Sequence, residues 1–400
     1  MVQASEIRNA ETLTRWLRGQ PQSVSAWIGH RAALRLVPLG WRFSSEIRGR
    51  KIPTSLVMLR ANLATMLSVG SGPRDFRPVL DWCVRYSDEA ASSTRHHAQA
   101  GTTLATCAFI AARDAASSQG QGSAQVETAK RAVLAFVEGW VVPGIGLQKQ
   151  IKPAIIDAGD APWKVVRWDC EIATGRVDRA HVPLWANSNP LSQFWLNQRH
   201  HIGGNGGSEF WFSWYDNVLA GHEHNWAFLK SVALIPDNIW EQGAEAVATE
   251  IARIEEQQRL QREVERLRSE LAGARSQIAA FSARGHNNPP ELVEPVAEVE
   301  RQADVLAAAL GEAEQELAKE APRAAVLQRI GRELFTAASK SLAYCASLGD
   351  AALKKAAEEV GSTGAKALIG AGLIAWVSQL GAVQVLARAL EAFAKMLGGS

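Results

Sequence analysis

The sequence predicts a mainly α-helical protein. Its parts are a helical N-terminal domain with a small β insertion, an antiparallel coiled-coil hairpin and an apolar C-terminal helix. Three observations carry that reading. Apolar side chains recur at three- and four-residue spacing along much of the chain. Two heptad runs flank a turn rich in Gly, Asn and Pro. One late segment, Ala367–Ala387, holds no charged residue.

At 400 residues the chain exceeds one compact core, so several domains are expected. Its 47% hydrophobic and 21% charged residues exclude wholesale disorder. A formal charge of +2 leaves no global field to recruit nucleic acid. The four cysteines, Cys83, Cys107, Cys170 and Cys345, form no CxxC pair, which argues against a disulfide framework or zinc ribbon and suits a reducing compartment. Glu6, Arg8, Glu11, Arg15 and Arg18 interrupt the first thirty residues, so no secretory signal is expected. Charge is nonetheless uneven. Residues 1–150 hold 18 Lys/Arg against 10 Asp/Glu, and residues 241–320 hold 9 against 17. The basic front and acidic rear either attract each other or are plain solvated helical faces.

The first expected domain, 1–140, is alanine-rich and helical. A helix opens near Ser5 as N-cap and carries Trp16-Leu17 at helical spacing. The stretch Ser23–Val37 repeats the pattern until Pro38 and Gly40 stop it. Helices follow over Thr54–Val69, Phe76–Tyr86 and His97–Ala116, and after the Ser117–Gln125 loop a further one runs through Trp140.

Residues 141–188 are expected to hold the β insertion. There Val166, Trp168, Cys170 and Ile172 alternate with Arg167, Asp169 and Glu171, as in a half-buried strand. Residues 189–243 form a Trp-rich helical module, and nine of the fourteen tryptophans lie between 140 and 240. Its helix Ser208–Ala220 ends at Gly221, a second covers His222–Val232, and Pro236-Asp237-Asn238-Ile239-Trp240 starts a third.

The hairpin occupies 244–320. Leu260, Val264, Leu267, Leu271, Ala274, Ile278 and Phe281 keep a strict 4-3 repeat. So do Leu292, Val296, Val299, Ala303, Leu306, Leu310, Ala313 and Leu317. The turn Gly285-His286-Asn287-Asn288-Pro289-Pro290-Glu291 folds the second arm back on the first. The last region, 321–400, contains the uncharged segment 367–387, long enough for a membrane span of ~20 residues. A trigger-inserted helix or a buried core helix fits the same residues, because Ser378, Gln379, Gln384 and a central Trp376 disfavour lipid.

The candidate chemistry is sparse. His200, His201, His222 and His224, with Glu209, Asp216 and Glu223, offer ligands for a hydrolytic metal site. Yet His-x-His does not share a helix face and HExxH is absent. The Gly203–Gly207 loop lacks the Lys-Ser/Thr of a P-loop, and His96-His97 fits an exposed helix start. No nucleophile elbow or dinucleotide fingerprint occurs. The interleaved basic residues are too few for aromatic stacking on nucleic acid. No catalytic residue, cofactor or metal ligand is assigned.

Two stretches carry a resemblance. Trp211-Phe212-Ser213-Trp214-Tyr215-Asp216-Asn217-Val218-Leu219-Ala220-Gly221, then Leu234-Ile235-Pro236-Asp237-Asn238-Ile239-Trp240-Glu241-Gln242-Gly243, resembles a segment of uncharacterised modular bacterial proteins, as does the 285–291 turn. The resemblance covers about a fifth of the chain. It implies a modular effector, in defence or conflict, and brings no assigned activity. The expectation is therefore a non-enzymatic, membrane-associated interaction protein in the cytoplasm. It would self-associate through the hairpin and insert its C-terminal helix into lipid. The alternatives are a soluble helical scaffold with that helix buried, and a metal-dependent hydrolase built on His200, His201, His222 and His224.

Overall fold

A computed structural model describes residues 2–42, 52–71, 76–95, 124–141, 161–175, 181–186, 195–196, 209–284, 293–358 and 365–398. The chain divides into two compact units, Met1–Ala252 and Arg253–Ser400. Regular structure among the described residues is helical, as the periodicity demands. The His97–Ala116 helix, residues 117–123 of the expected Ser117–Gln125 loop, His96, the Gly203–Gly207 loop and the 285–291 turn lie outside them, whereas Ala124 and Gln125 are already helical.

The first unit begins with a 3-10 turn, Ala4–Glu6, then α1 (Ala10–Arg18). The cap of α1 is Asn9 and not Ser5. Asn9 Oδ1 accepts from the Thr12 amide at 2.9 Å while Thr12 Oγ1 accepts from the Asn9 amide at 3.2 Å. Next come α2 (Gln22–Arg35), α3 (Val37–Arg42), α4 (Thr54–Ser71), α5 (Arg77–Arg95) and α6 (Ala124–Val141). Pro38 does not stop the chain, because it falls in the first turn of α3, where no amide is missed.

Both α2 and α4 are buried around nearly their whole circumference, which explains their weak amphipathicity. Gly29 makes the α2–α6 approach close, since a Cβ there would stand 3.3 Å from Ala129 Cα. The buried polar side chains of α4 turn back onto their own helix. Asn62 donates to Met58 O, Thr65 to Ala61 O and Ser68 to Ala64 O at 2.7–2.9 Å.

The β insertion is overturned at its central element. Residues 161–174 form a helix, α7 (Ala161–Thr174), which buries Trp163, Val166, Asp169, Cys170 and Ala173. The alternation misleads because Asp169, read as an outward polar position, is only 1% exposed. The Trp-rich module then supplies α8 (Glu209–Ala220), α9 (Trp226–Ala233) and α10 (Asp237–Trp240). Gly221 ends α8 at φ 69, a left-handed conformation suited to glycine.

The helix α11 (Ala244–Arg284) starts in the first unit and continues into the second, where α12 (Val293–Leu317), α13 (Ala324–Glu358) and α14 (Ala365–Gly398) follow. The heptad positions whose side chains are described behave as predicted, while Ile278, Phe281, Leu292, Val296 and Val299 lie outside that description. Leu260, Val264, Leu267, Leu271 and Ala274 are buried with Ala303, Leu306, Leu310, Ala313 and Leu317. Antiparallel register is fixed by Arg275–Asp304 at 2.8 Å, by Arg268–Glu314, and by Gln257 Nε2 donating to Leu317 O at 2.7 Å. Pro295 falls in the first turn of α12. Between α12 and α13, Glu316 receives the Arg323 amide at 2.8 Å and its guanidinium at 3.0 Å. The Arg323 bonds, helped by Lys319, hold the Glu316 carboxyl at about 2.

The C-terminal helix corrects the membrane reading. No helix among the described residues is long and apolar enough to cross a membrane, so insertion of 367–387 is overturned, and nothing supports membrane attachment through α14. From Trp376 onward, the apolar residues of α14 form a 4-3 stripe of Trp376, Leu380, Val383, Ala387, Leu390 and Ala394. That stripe is buried in one core with Leu327, Ile330, Leu334 and Ala338 of α13. Gln384 Nε2 donates to Ser339 Oγ at 2.9 Å. Gly331 lets the two helices touch, since a Cβ there would meet Ala387 O at 2.8 Å.

Candidate functional site

The densest polar chemistry of the first unit sits under a short strap, residues 181–186. From α2, Arg31 Nε donates to Asp169 Oδ1 at 2.8 Å, its Nη1 to Val182 O at 3.2 Å, and its Nη2 to Pro183 O and Leu184 O at 2.7 and 3.1 Å. One turn on, Arg35 pairs with both Asp169 oxygens and donates to Leu184 O at 2.7 Å. Burial pushes the Asp169 carboxyl up, but Arg31 and Arg35 outweigh it and leave the pKa below its ordinary value. Aromatic faces cover the guanidinium groups. Arg31 lies 4.8 Å from the Trp27 ring and Arg35 lies 5.2 Å from Trp185.

A third buried arginine, Arg60 of α4, is held by the Ile235–Gly243 stretch. Its guanidinium lies 4.4 Å from the Trp82 ring and 4.6 Å from Trp240. It pairs with Asp237 at 2.8 Å and donates to Ile235 O at 3.0 Å. The Trp240 indole donates to the same carbonyl, and Tyr86 OH donates to Glu241 at 2.8 Å. Burial beside them pushes the Cys83 thiol up to about 12, which keeps it protonated and unreactive.

The other half of the resembling segment is equally occupied. Trp195 Nε1 donates to Asp216 at 2.7 Å and Tyr215 OH donates to Leu34 O at 3.0 Å. Trp195 also packs edge-on against Tyr215 at 4.7 Å, and Trp41 stacks on Phe212 at 5.0 Å.

Of the proposed histidine ligands, His200 and His201 lie outside the described residues. His222 Nδ1 is 3.3 Å from Asn217 Oδ1, and the His224 ring meets Trp226 edge-on at 5.6 Å. Glu209 and Glu223 are exposed, and Asp216 already serves Trp195. Among the described residues no group of three His, Cys, Asp or Glu side chains is placed to hold a metal ion, so the described half of the hydrolase set does not form a site.

Sequence reasoning missed His30. It is wholly buried on α2, and neither ring nitrogen has a hydrogen-bond partner among the described residues. Burial, and next the adjacent Arg31, lower its pKa to about 3. It also missed all three buried arginines, because their partners lie more than 130 residues away in sequence. No family model, curated protein or solved structure matches the chain.

Proposed function

We propose that the protein is a non-enzymatic helical scaffold that self-associates through its hairpin, α11 with α12. One observation carries the reading. The charged side chains best suited to chemistry in the first unit are consumed in holding its own backbone. Arg31 and Arg35 hold three successive strap carbonyls, and Arg60, Asp237 and Glu241 join α4 and α5 to the Ile235–Gly243 stretch. The hairpin presents a different surface. Its outward positions carry Arg266 between Glu263 and Glu270, and Val305 is 50% exposed. Mixed charge on the outer positions of one arm and an exposed valine on the other suit a coiled-coil flank that receives another helix.

Sedimentation equilibrium of the full chain from ~1 to ~100 μM tests the reading, since dissociation constants in this range correspond to about −8 to −5 kcal/mol. Reversible self-association, weakened by Val305→Glu, is expected. A monomer throughout the range overturns it.

A further inference from the structure

One face of α14 and one groove of the hairpin stand open in the second unit. Half a turn from the buried stripe of α14 lie Gly381, Val385, Arg388 and Ala392, all exposed. Val385 is 69% exposed, more than any other large apolar side chain among the described residues. The surface beside it is low, since a Cβ on Gly381 would meet nothing within 4 Å. Charge on this face has one sign. Arg388 lies 5.2 Å from the Phe335 ring, and neither it nor exposed Lys395 meets a carboxylate among the described residues. Glu391, the one acid of α14, turns toward Gly331 of α13. The groove runs between α11 and α12, with a volume of about 440 Å³ and a floor that includes Leu271, Ala272, Ala303 and Ala307. Of its charged rim, Arg268 is matched by Glu314 and Arg275 by Asp304. Glu265 is left exposed, with no partner among the described residues.

We propose that the outer face of α14 in one copy of the chain seats in the α11–α12 groove of a second copy. This rests on the self-association reading and names the helix that the hairpin receives. Shape and charge select the pairing. Two α14 faces brought together would oppose Arg388 and Lys395 with no anion between them, an unfavourable juxtaposition. Two grooves would meet rim to rim and leave their floors empty. A convex valine ridge in a small-residue groove fills the space, as packed helices require. With α14 antiparallel to α11 and Val385 over Ala272, Arg388 lies about 4.5 Å along the axis and Glu265 about 10.5 Å, at ~1.5 Å per residue. The remaining ~6 Å is within reach of an arginine side chain. Each copy offers both a face and a groove, so copies add head to tail. They close as a ring or continue as a filament and do not stop at a two-fold dimer.

Sedimentation velocity of the full chain with two single-sided variants tests the pairing. Val385→Glu spoils the face and Ala307→Glu the groove, both at exposed helical positions. Wild type is expected to exceed the mass of a dimer as concentration rises. Each variant alone is expected to lose affinity about tenfold or more. Their equimolar mixture is expected to form a 1:1 complex that grows no further, the intact face of one on the intact groove of the other. Where either variant fails to fold, charge reversal replaces it: Glu265→Arg and Arg388→Glu each weaken association, and the two combined in one chain restore it. Association that Val305→Glu weakens and Val385→Glu leaves intact keeps the hairpin reading and overturns this pairing. A mixture that stays monomeric, or a charge-reversed double variant no better than its singles, overturns it too. A wild type that is monomeric throughout overturns both.

Discussion

Burial of His30 makes the stability of the first unit depend on pH in a way that one substitution removes. The imidazole has a pKa of about 3 in the folded protein and 6.5 as the ordinary value. Near pH ~7.5 it is neutral in both states and contributes no linkage. As pH falls below ~6.5 the unfolded chain takes up a proton that the folded chain refuses, so stability falls. Integrated down to pH ~5, this one-proton difference spans about 1.5 pH units, or ~2 kcal/mol at 1.36 kcal/mol per unit. The loss continues toward pH ~3, where the folded protein is itself protonated. His30→Leu keeps the volume of the side chain and removes the titration. It also removes two ring nitrogens that lack hydrogen-bond partners among the described residues. The assay is urea unfolding followed by tryptophan emission, for wild type and variant, at both pH values. The variant should lose about 2 kcal/mol less than wild type between pH ~7.5 and ~5, and should be no less stable at the higher pH. Losses that agree within ~0.5 kcal/mol, the usual limit of additivity, would refute the reasoning.

Asp169→Asn leaves Arg31 and Arg35 buried without their carboxylate and should cost about 3–5 kcal/mol, read as a collapse of the urea midpoint. Gly331→Ala drives a Cβ against Ala387 O and should destabilise the Arg253–Ser400 unit by about 1–3 kcal/mol in thermal unfolding. Its control is Gly311→Ala, which meets nothing within 4 Å and should gain up to about 1 kcal/mol from helix propensity. Ending the chain at Gly364 strips Leu327, Ile330 and Leu334 of the α14 stripe, and light scattering should detect aggregation of the shortened protein. A shortened chain that stays monodisperse with an unchanged melting temperature would contradict the buried role of α14.

Helical periodicity made the fold class and the hairpin legible, because coiled-coil burial repeats locally every seven residues. Leu260 to Ala274 and Ala303 to Leu317 needed no distant information. The α14 stripe was legible too, since Trp376, Leu380, Val383, Ala387, Leu390 and Ala394 already keep a 4-3 spacing. Absence of charge looked like lipid only while that spacing was ignored. The strand misreading at Val166–Ile172 has a different origin. The burial of Asp169 depends on Arg31 and Arg35, 138 and 134 residues earlier, and no local window contains them. Comparable distances hid the buried arginines, whose partners chain folding alone brings to them.

The strap is held by its carbonyls, so α2 reads its backbone and hardly its side chains. Arg31 and Arg35 would grip any sequence that keeps three successive oxygens at positions 182–184, provided that Val182 and Leu184 stay apolar, because both are buried. Pro183 and Ala186 face outward. The strap is therefore tolerant of spelling and strict about counting. Exchanging residue 183 or 186 for one that carries a dye or an affinity handle should leave the grip intact, whereas deleting a single residue would present the wrong oxygens. For anyone wishing to tether the protein to a surface or follow it in a mixture, these two positions are natural attachment points.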